Sequence, residues 1–125
     1  MSRTSTGLGP RSFNCPIEVP VDILGGKWKL VLLYHLVSGP QRNGELRRLV
    51  PGITQKMLTQ QLRELEQDGI VIRTVHHEVP PKVVYTVEAD EAKPLRELTK
   101  AMCNWGTYWA SRTGAKIEHP AAGPK

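Results

Sequence analysis

The residues best equipped for specific hydrogen bonding lie together in the stretch "GITQKMLTQQLRELEQDGIVIR", from Gly52 to Arg73. Leu58, Leu62 and Leu65 recur at helical spacing and define one side of a helix. Lys56, Gln60, Arg63 and Gln67 fall on the opposite side, with Thr59 flanking. Glutamine can make paired hydrogen bonds to adenine, and Arg or Lys can pair with guanine. A helix anchored by leucines and showing amides and cations outward therefore suits the base edges of a major groove. The same residue types also cover any solvated helix face. Moreover, Glu64, Glu66 and Asp68 in the C-terminal half outweigh Lys56 and Arg63. Base contacts in helix-turn-helix docking come from the helix N-terminal residues. The expected readers are thus Thr54, Gln55, Lys56, Thr59 and Gln60, with Arg63 behind them.

Other chemistries are less well supplied. Cys15 precedes Pro16, and a helix starting at that proline would place Cys15 at its cap, where the helix dipole favours a thiolate. Such a thiolate is what oxidants and electrophiles attack, whereas a free cysteine more often serves as a small buried apolar residue. Cys103, on the last helix, is expected to pack. Two cysteines alone build no zinc site. His76 and His77 are adjacent on an extended segment, so their side chains point to opposite faces and make a poor metal pair. "LGGKW" lacks the spacing and the hydroxyl residue of a phosphate loop. No Ser-His-Asp, Cys-His or paired-carboxylate constellation is evident. The reading is therefore of a binding protein, not an enzyme, with no metal and no cofactor.

Several elements must position these residues. A short N-terminal helix is expected from Pro16, kept short by Pro20 and broken by Gly25-Gly26. "KWKLVLLYHLV" follows as a helix with Trp28, Val31, Leu32 and Leu36 as its stripe, widened by Leu33. "NGELRRLV" is a second helix of the core, burying Leu46, Leu49 and Val50. Thr54 then caps the third, Ile53 and Leu58 form a hydrophobic staple, and Asp68-Gly69 closes it. Beyond that the period becomes two. "IVIRTV" and "VVYTV" alternate, and "HHEVPPK" between them projects as the tip of a β-hairpin. A last helix begins near Asp90 with Pro94 in its first turn. Leu95, Leu98, Met102, Trp105 and Trp109 form a seam spaced like a coiled coil. Tryptophans on such a seam are costly to leave wet, which points to a second subunit as cover. Ile17 and Val21 from the N-terminal helix would assist.

The order of helix, helix, turn, helix and hairpin is that of a winged helix-turn-helix: mainly α with a small β-hairpin, the N- and C-terminal helices forming a dimer interface. Arg47 and Arg48 from the supporting helix, and His77 and Lys82 from the wing, are placed to meet phosphates. The 125 residues suit one domain, with a formal net charge of +5 and pI near 9.5 that favour polyanionic partners. Residues 1–14 and 113–125 read as flexible tails around a domain at 15–112. No apolar run is long enough for a membrane span, the start lacks the apolar centre of a secretory signal, and the reducing cytoplasm is the expected compartment.

The stretch from Cys15 to Trp109, about three quarters of the chain, resembles HxlR-type transcriptional regulators. "CPIE", "ILGGKWKL", "GPQRNGELRRLVPGITQKMLTQQLRELEQDGIVIR", "EVPPKVVYTV" and the "WG" at Trp105-Gly106 carry the resemblance. It implies a homodimer on operator DNA, with the terminal helices as interface; two recognition helices related by a two-fold axis would then read an inverted repeat. It also implies a redox or electrophile sensor at Cys15, as several members use a cysteine in the matching motif. Two positions depart from the family's pattern. Asn43 stands where members carry an aromatic, and is read as a cap for the second helix. "VEADEAKP" replaces the usual "LTxxG", which touches the entry into the last helix. A winged-helix module for protein interaction or small-ligand binding remains the alternative, separable by salt-dependent DNA binding.

Overall fold

The computed structural model describes residues 11–118. The elements in chain order are α1 (Glu18–Ile23), α2 (Lys29–Leu36), β1 (Gln41–Arg42), α3 (Asn43–Leu49), α4 (Gln55–Gln67), β2 (Val71–His76), β3 (Lys82–Val87) and α5 (Ala89–Thr113). This is a winged helix-turn-helix, mainly helical with a small antiparallel sheet. Its core joins Leu32, Leu33 and Leu36 of α2, Leu46 and Val50 around α3, Leu58, Leu62 and Leu65 of α4, Val71 of β2 and Leu95 of α5.

The sheet has three strands in the order β1-β3-β2, all antiparallel. The hairpin pairs Val71 with Val87 through to His76 with Lys82, much as the alternating segments suggest. Periodicity does not reveal β1. It is two residues long and exists because Gln41 and Arg42 lie alongside Tyr85 and Val84. Burial on β2 is greatest at Val71 and falls away beyond it, so the ribbon leaves the body of the domain as a wing.

Several local expectations shift. α1 has Ile17, not Cys15, at its cap, because Pro16 and Ile17 form a lead-in turn closed by Glu18 N–H donating to the Cys15 carbonyl at 3.0 Å. Behind α1 the chain turns so tightly that a Cβ on Gly25 would sit 2.3 Å from the Val21 carbonyl oxygen. In α2 the buried set is Lys29, Leu32, Leu33 and Leu36, while Val31 is exposed and Trp28 half-buried. The stripe is rotated because Lys29 enters the interior with an ionic partner. Leu49 is exposed, leaving Leu46 and Val50 as the buried pair near α3. Asn43 does not cap α3. It is the first helical residue, and Glu45 Oε1 accepts from the Arg42 N–H at 2.7 Å. Within "VEADEAKP", Glu88 caps α5 by accepting from the Asp90 N–H at 2.8 Å. The helix therefore starts before Asp90, and Pro94 falls in its second turn, where it forgoes an i→i−4 bond.

Candidate nucleic-acid interface

The recognition element is α4. Thr54 Oγ1 accepts from the Met57 N–H at 3.1 Å, satisfying an orphan donor of the first turn. Ile53 and Leu58, on either side of that cap, are both buried. At the other end Ile70 N–H bonds to the Leu65 carbonyl and Gly69 N–H to that of Glu66, each at 3.0 Å. This is a Schellman stop, with Gly69 at φ +76°. Between the two ends Leu58, Leu62 and Leu65 are wholly buried. Each side chain contributes about 1.5–3 kcal/mol by leaving water, which holds the helix to the domain.

Thr54, Gln55, Lys56, Thr59, Gln60 and Arg63 are all exposed. Two of the amides are oriented within the helix: Gln55 Nε2 donates to Thr59 Oγ1 at 3.0 Å, and Gln60 Nε2 to Glu64 Oε2 at 2.6 Å. The acids that weigh against this helix in the sequence are largely answered from elsewhere. Lys29 Nζ of α2 lies 2.5 Å from Glu64 Oε1, and Arg11 Nη2 lies 2.8 Å from Asp68 Oδ1. Arg11 also pairs with Asp22 Oδ2 at 3.0 Å, tying α1 to the end of α4. Lys29 and Arg11 lie 35 and 57 residues from those partners, so no local pattern in the sequence announces them.

Cations flank α4. Arg47 and Arg48 are exposed on α3, His77 is exposed beyond β2, and Lys82 is half-buried where β3 leaves the wing loop. Neither arginine, nor Lys82, nor Lys56 or Arg63, forms an ion pair with another described residue. An open cleft of about 490 Å³ runs between α3 and the wing, lined by Arg42, Asn43, Arg48, Pro81 and Val83 among others. Arg42 is a flanking cation that sequence reasoning missed; only the strand pairing of β1 puts it beside the wing. His35, at the end of α2, has its pKa lowered from 6.5 by burial. It is half-buried and lies on α2, outside α3, α4 and the wing.

The remaining candidates lie apart from α4. Cys15 and Cys103 are both free and both exposed, so Cys103 does not pack within the chain. The apolar seam of α5 divides. Leu95 is buried in the chain's own core and Leu98 packs against it. Met102, Trp105 and Trp109 are exposed, as are Ile17 and Val21, with Trp105 at 62% and Ile17 at 68%. Trp105 and Trp109 stack on each other with ring centroids 6.5 Å apart. Among the described residues no group of His, Cys, Asp or Glu could hold a metal ion, and no helix is long and apolar enough to cross a membrane.

A leucine-anchored helix with a polar outer face, a supporting helix and a cationic wing defines a DNA-binding winged-helix regulator. The HxlR-like helix-turn-helix family model matches residues 23–114. The chain is 43% identical over 115 residues to YkvN of Bacillus subtilis (strain 168), an uncharacterized HTH-type transcriptional regulator, covering 92% of this chain and 97% of that one. The solved structure of the redox regulator HypR in its oxidized form is 50% identical, with a TM-score of 0.70, over 75% of this chain and 96% of that one. The reduced form of the regulator YodB from B. subtilis is 33% identical, with a TM-score of 0.64, over 88% and 100%. The chain belongs to the HxlR-like helix-turn-helix family and is a DNA-binding transcriptional regulator.

Proposed function

We propose that two copies of the chain pair through α1 and α5 and set their α4 helices into successive major grooves of an inverted-repeat operator. The observation that carries this reading is the two-sided character of α4. Three wholly buried leucines back the helix; Lys56, Gln60 and Arg63 are exposed opposite them, and Thr54, Gln55 and Thr59 are exposed in its N-terminal turns. The amides match adenine and the cations match guanine. Arg47, Arg48, His77 and Lys82 take phosphates on either side, the arginines from α3 and the other two from the wing. Ile17, Val21, Met102, Trp105 and Trp109 supply the apolar cover between protomers, and their exposure in the single chain supports that role. The activity is binding in the cytoplasm, without catalysis and without a cofactor.

Cys15 is the proposed point of entry for an oxidant or electrophile. Its support is position, together with the likeness to the redox regulator HypR. The thiol is exposed between Arg11 and α1. Arg11 in turn joins Asp22 of α1 to Asp68 at the close of α4. Modification at Cys15 falls four residues along the chain from Arg11, the centre of that ionic link.

The test is fluorescence anisotropy with duplex DNA from upstream of the chain's own gene and with a scrambled duplex, across a salt series. The expected result is tighter binding to the upstream DNA and a linear fall of log affinity with log salt. Equal affinity for both duplexes would remove the operator reading. Absence of binding to either would favour a protein-interaction or small-ligand module.

A further inference from the structure

Lys29 is one of the few charged residues in the interior, only 3% exposed. It reaches across from α2 to α4, and its Nζ meets Glu64 Oε1 at 2.5 Å. The other carboxylate oxygen, Oε2, accepts from Gln60 Nε2 at 2.6 Å. The carboxylate thus has a buried cation on one oxygen and an exposed amide on the other. Gln60 is the member of the proposed base-reading set that this chain of contacts reaches.

The chemistry of the link decides which way Gln60 faces. An ionised carboxylate only accepts hydrogen bonds, so the amide NH₂ must turn toward Glu64 and the amide oxygen away from it. One N–H is used, and Oε1 with the second N–H remain for a base edge. That is the acceptor-and-donor pair an adenine requires at N6 and N7. A glutamine free to turn over would offer the reverse order equally well.

We infer that Lys29 and Glu64 are specificity-determining positioning residues: the buried Lys29 fixes the Glu64 carboxylate, which locks the orientation of the Gln60 amide and so sets the base it prefers. This rests on the reading of Gln60 as a base contact. Neither Lys29 nor Glu64 needs to touch DNA. Lys29 cannot reach it from the interior, and Glu64 would be repelled by phosphate.

The experiment selects duplexes from a randomised library with the full-length wild type, then with Glu64→Gln, Lys29→Met, Gln60→Ala and the double variant Glu64→Gln/Gln60→Ala. The base preference is read at each position of the half-site, and melting temperature is recorded beside it. Glu64→Gln keeps the shape and hydrogen-bonding capacity but can donate as well as accept, so Gln60 can turn. The expected result is a loss of about tenfold in the preference at the position Gln60 reads, with the other positions unchanged. The double variant should match Gln60→Ala at that position. Lys29→Met should reproduce the profile of Glu64→Gln. If it fails to fold, Glu64→Gln, on a partly exposed side chain, carries the test alone. A uniform change in affinity for all sequences, as loss of one acidic charge or of helix stability would produce, overturns the inference. A changed profile for Gln60→Ala beside an unchanged one for Glu64→Gln overturns it while leaving the base-reading role of Gln60 intact. An unchanged profile for Gln60→Ala overturns both.

Discussion

Replacing Lys82 with alanine separates backbone contact from base reading. Lys82 starts β3, opposite His76 at the loop end of the wing, and has no ion-pair partner among the described residues. Truncation therefore removes a cation without stranding an internal carboxylate, unlike a change at Arg11 or Lys29. Arg47, Arg48 and Lys82 offer about three phosphate contacts per protomer, or about six per dimer, for a salt slope near −5 at ~0.9 per contact. Affinity should then fall roughly 10³-fold between about 50 and 200 mM salt. Lys82→Ala removes one contact per protomer, bringing the slope to about −3.5 and the fall to roughly 10²-fold. Anisotropy titrations on operator and scrambled duplexes measure both quantities. The variant should lose affinity for the two duplexes alike. Gln60→Ala should behave in the opposite way, costing about 1–3 kcal/mol on the operator and much less on scrambled DNA, with its slope unchanged. If Lys82→Ala changed sequence preference while Gln60→Ala did not, the wing would be the reader and the assignment of α4 would be wrong.

Trp105→Asp should yield a folded monomer, because Trp105 is exposed in the single chain and its loss opens no core. Sedimentation at micromolar concentration, with far-ultraviolet circular dichroism, reads both properties, and a wild-type monomer under those conditions would remove the pairing role. Treatment with hydrogen peroxide should alter operator binding of the wild type and of Cys103→Ser but not of Cys15→Ser; the reverse pattern would transfer the response to Cys103. His35 should make the fold pH-sensitive. Burial lowers its pKa below 6.5, so in the window beneath that value the unfolded chain binds more protons than the folded one. Stability is then fully present above pH ~6.5 and declines as pH falls through that window. The melting temperature of His35→Gln should show a smaller decline over that range, and an equal decline would assign the effect to other groups.

What the sequence discloses about α4 is chemistry that acts within a few residues. Thr54 caps a donor three residues on, and Leu58, Leu62 and Leu65 repeat with the helix. Gly69 supplies the left-handed stop that follows Asp68. Alternation reveals β2 and β3 for the same reason. What stays hidden depends on distance along the chain. β1 is too short to show a period and forms only through Tyr85 and Val84. Lys29 reads locally as a solvated cation on a helix edge, and nothing near it indicates that Glu64 will receive it. The start of α1 is hidden by a different cause. Proline fits a first turn, but it fits a lead-in turn equally well, and Pro16 takes the second course.

The seam on α5 illustrates how one periodic signal can serve two surfaces. Spacing alone treats Leu95, Leu98, Met102, Trp105 and Trp109 as equivalent. In the fold the N-terminal part of the helix is fastened to its own domain. Leu95 enters the core, and Arg96 donates to the Val37 carbonyl at the end of α2. The exposed apolar residues begin at Met102, in the half beyond that attachment. The helix has 25 residues and so spans ~37 Å, comparable with the ~34 Å between successive major grooves on one face of DNA. In the proposed dimer the N-terminal half carries the DNA-binding body, and the exposed Met102, Trp105 and Trp109 of the C-terminal half meet the partner. A change in the crossing angle of the two α5 helices would then alter the separation of the two α4 helices. Arg11 adds a second connection, from Asp22 of α1 to Asp68 of α4. The proposed pairing surface and the recognition helix are thus joined twice, once through packing and once through charge.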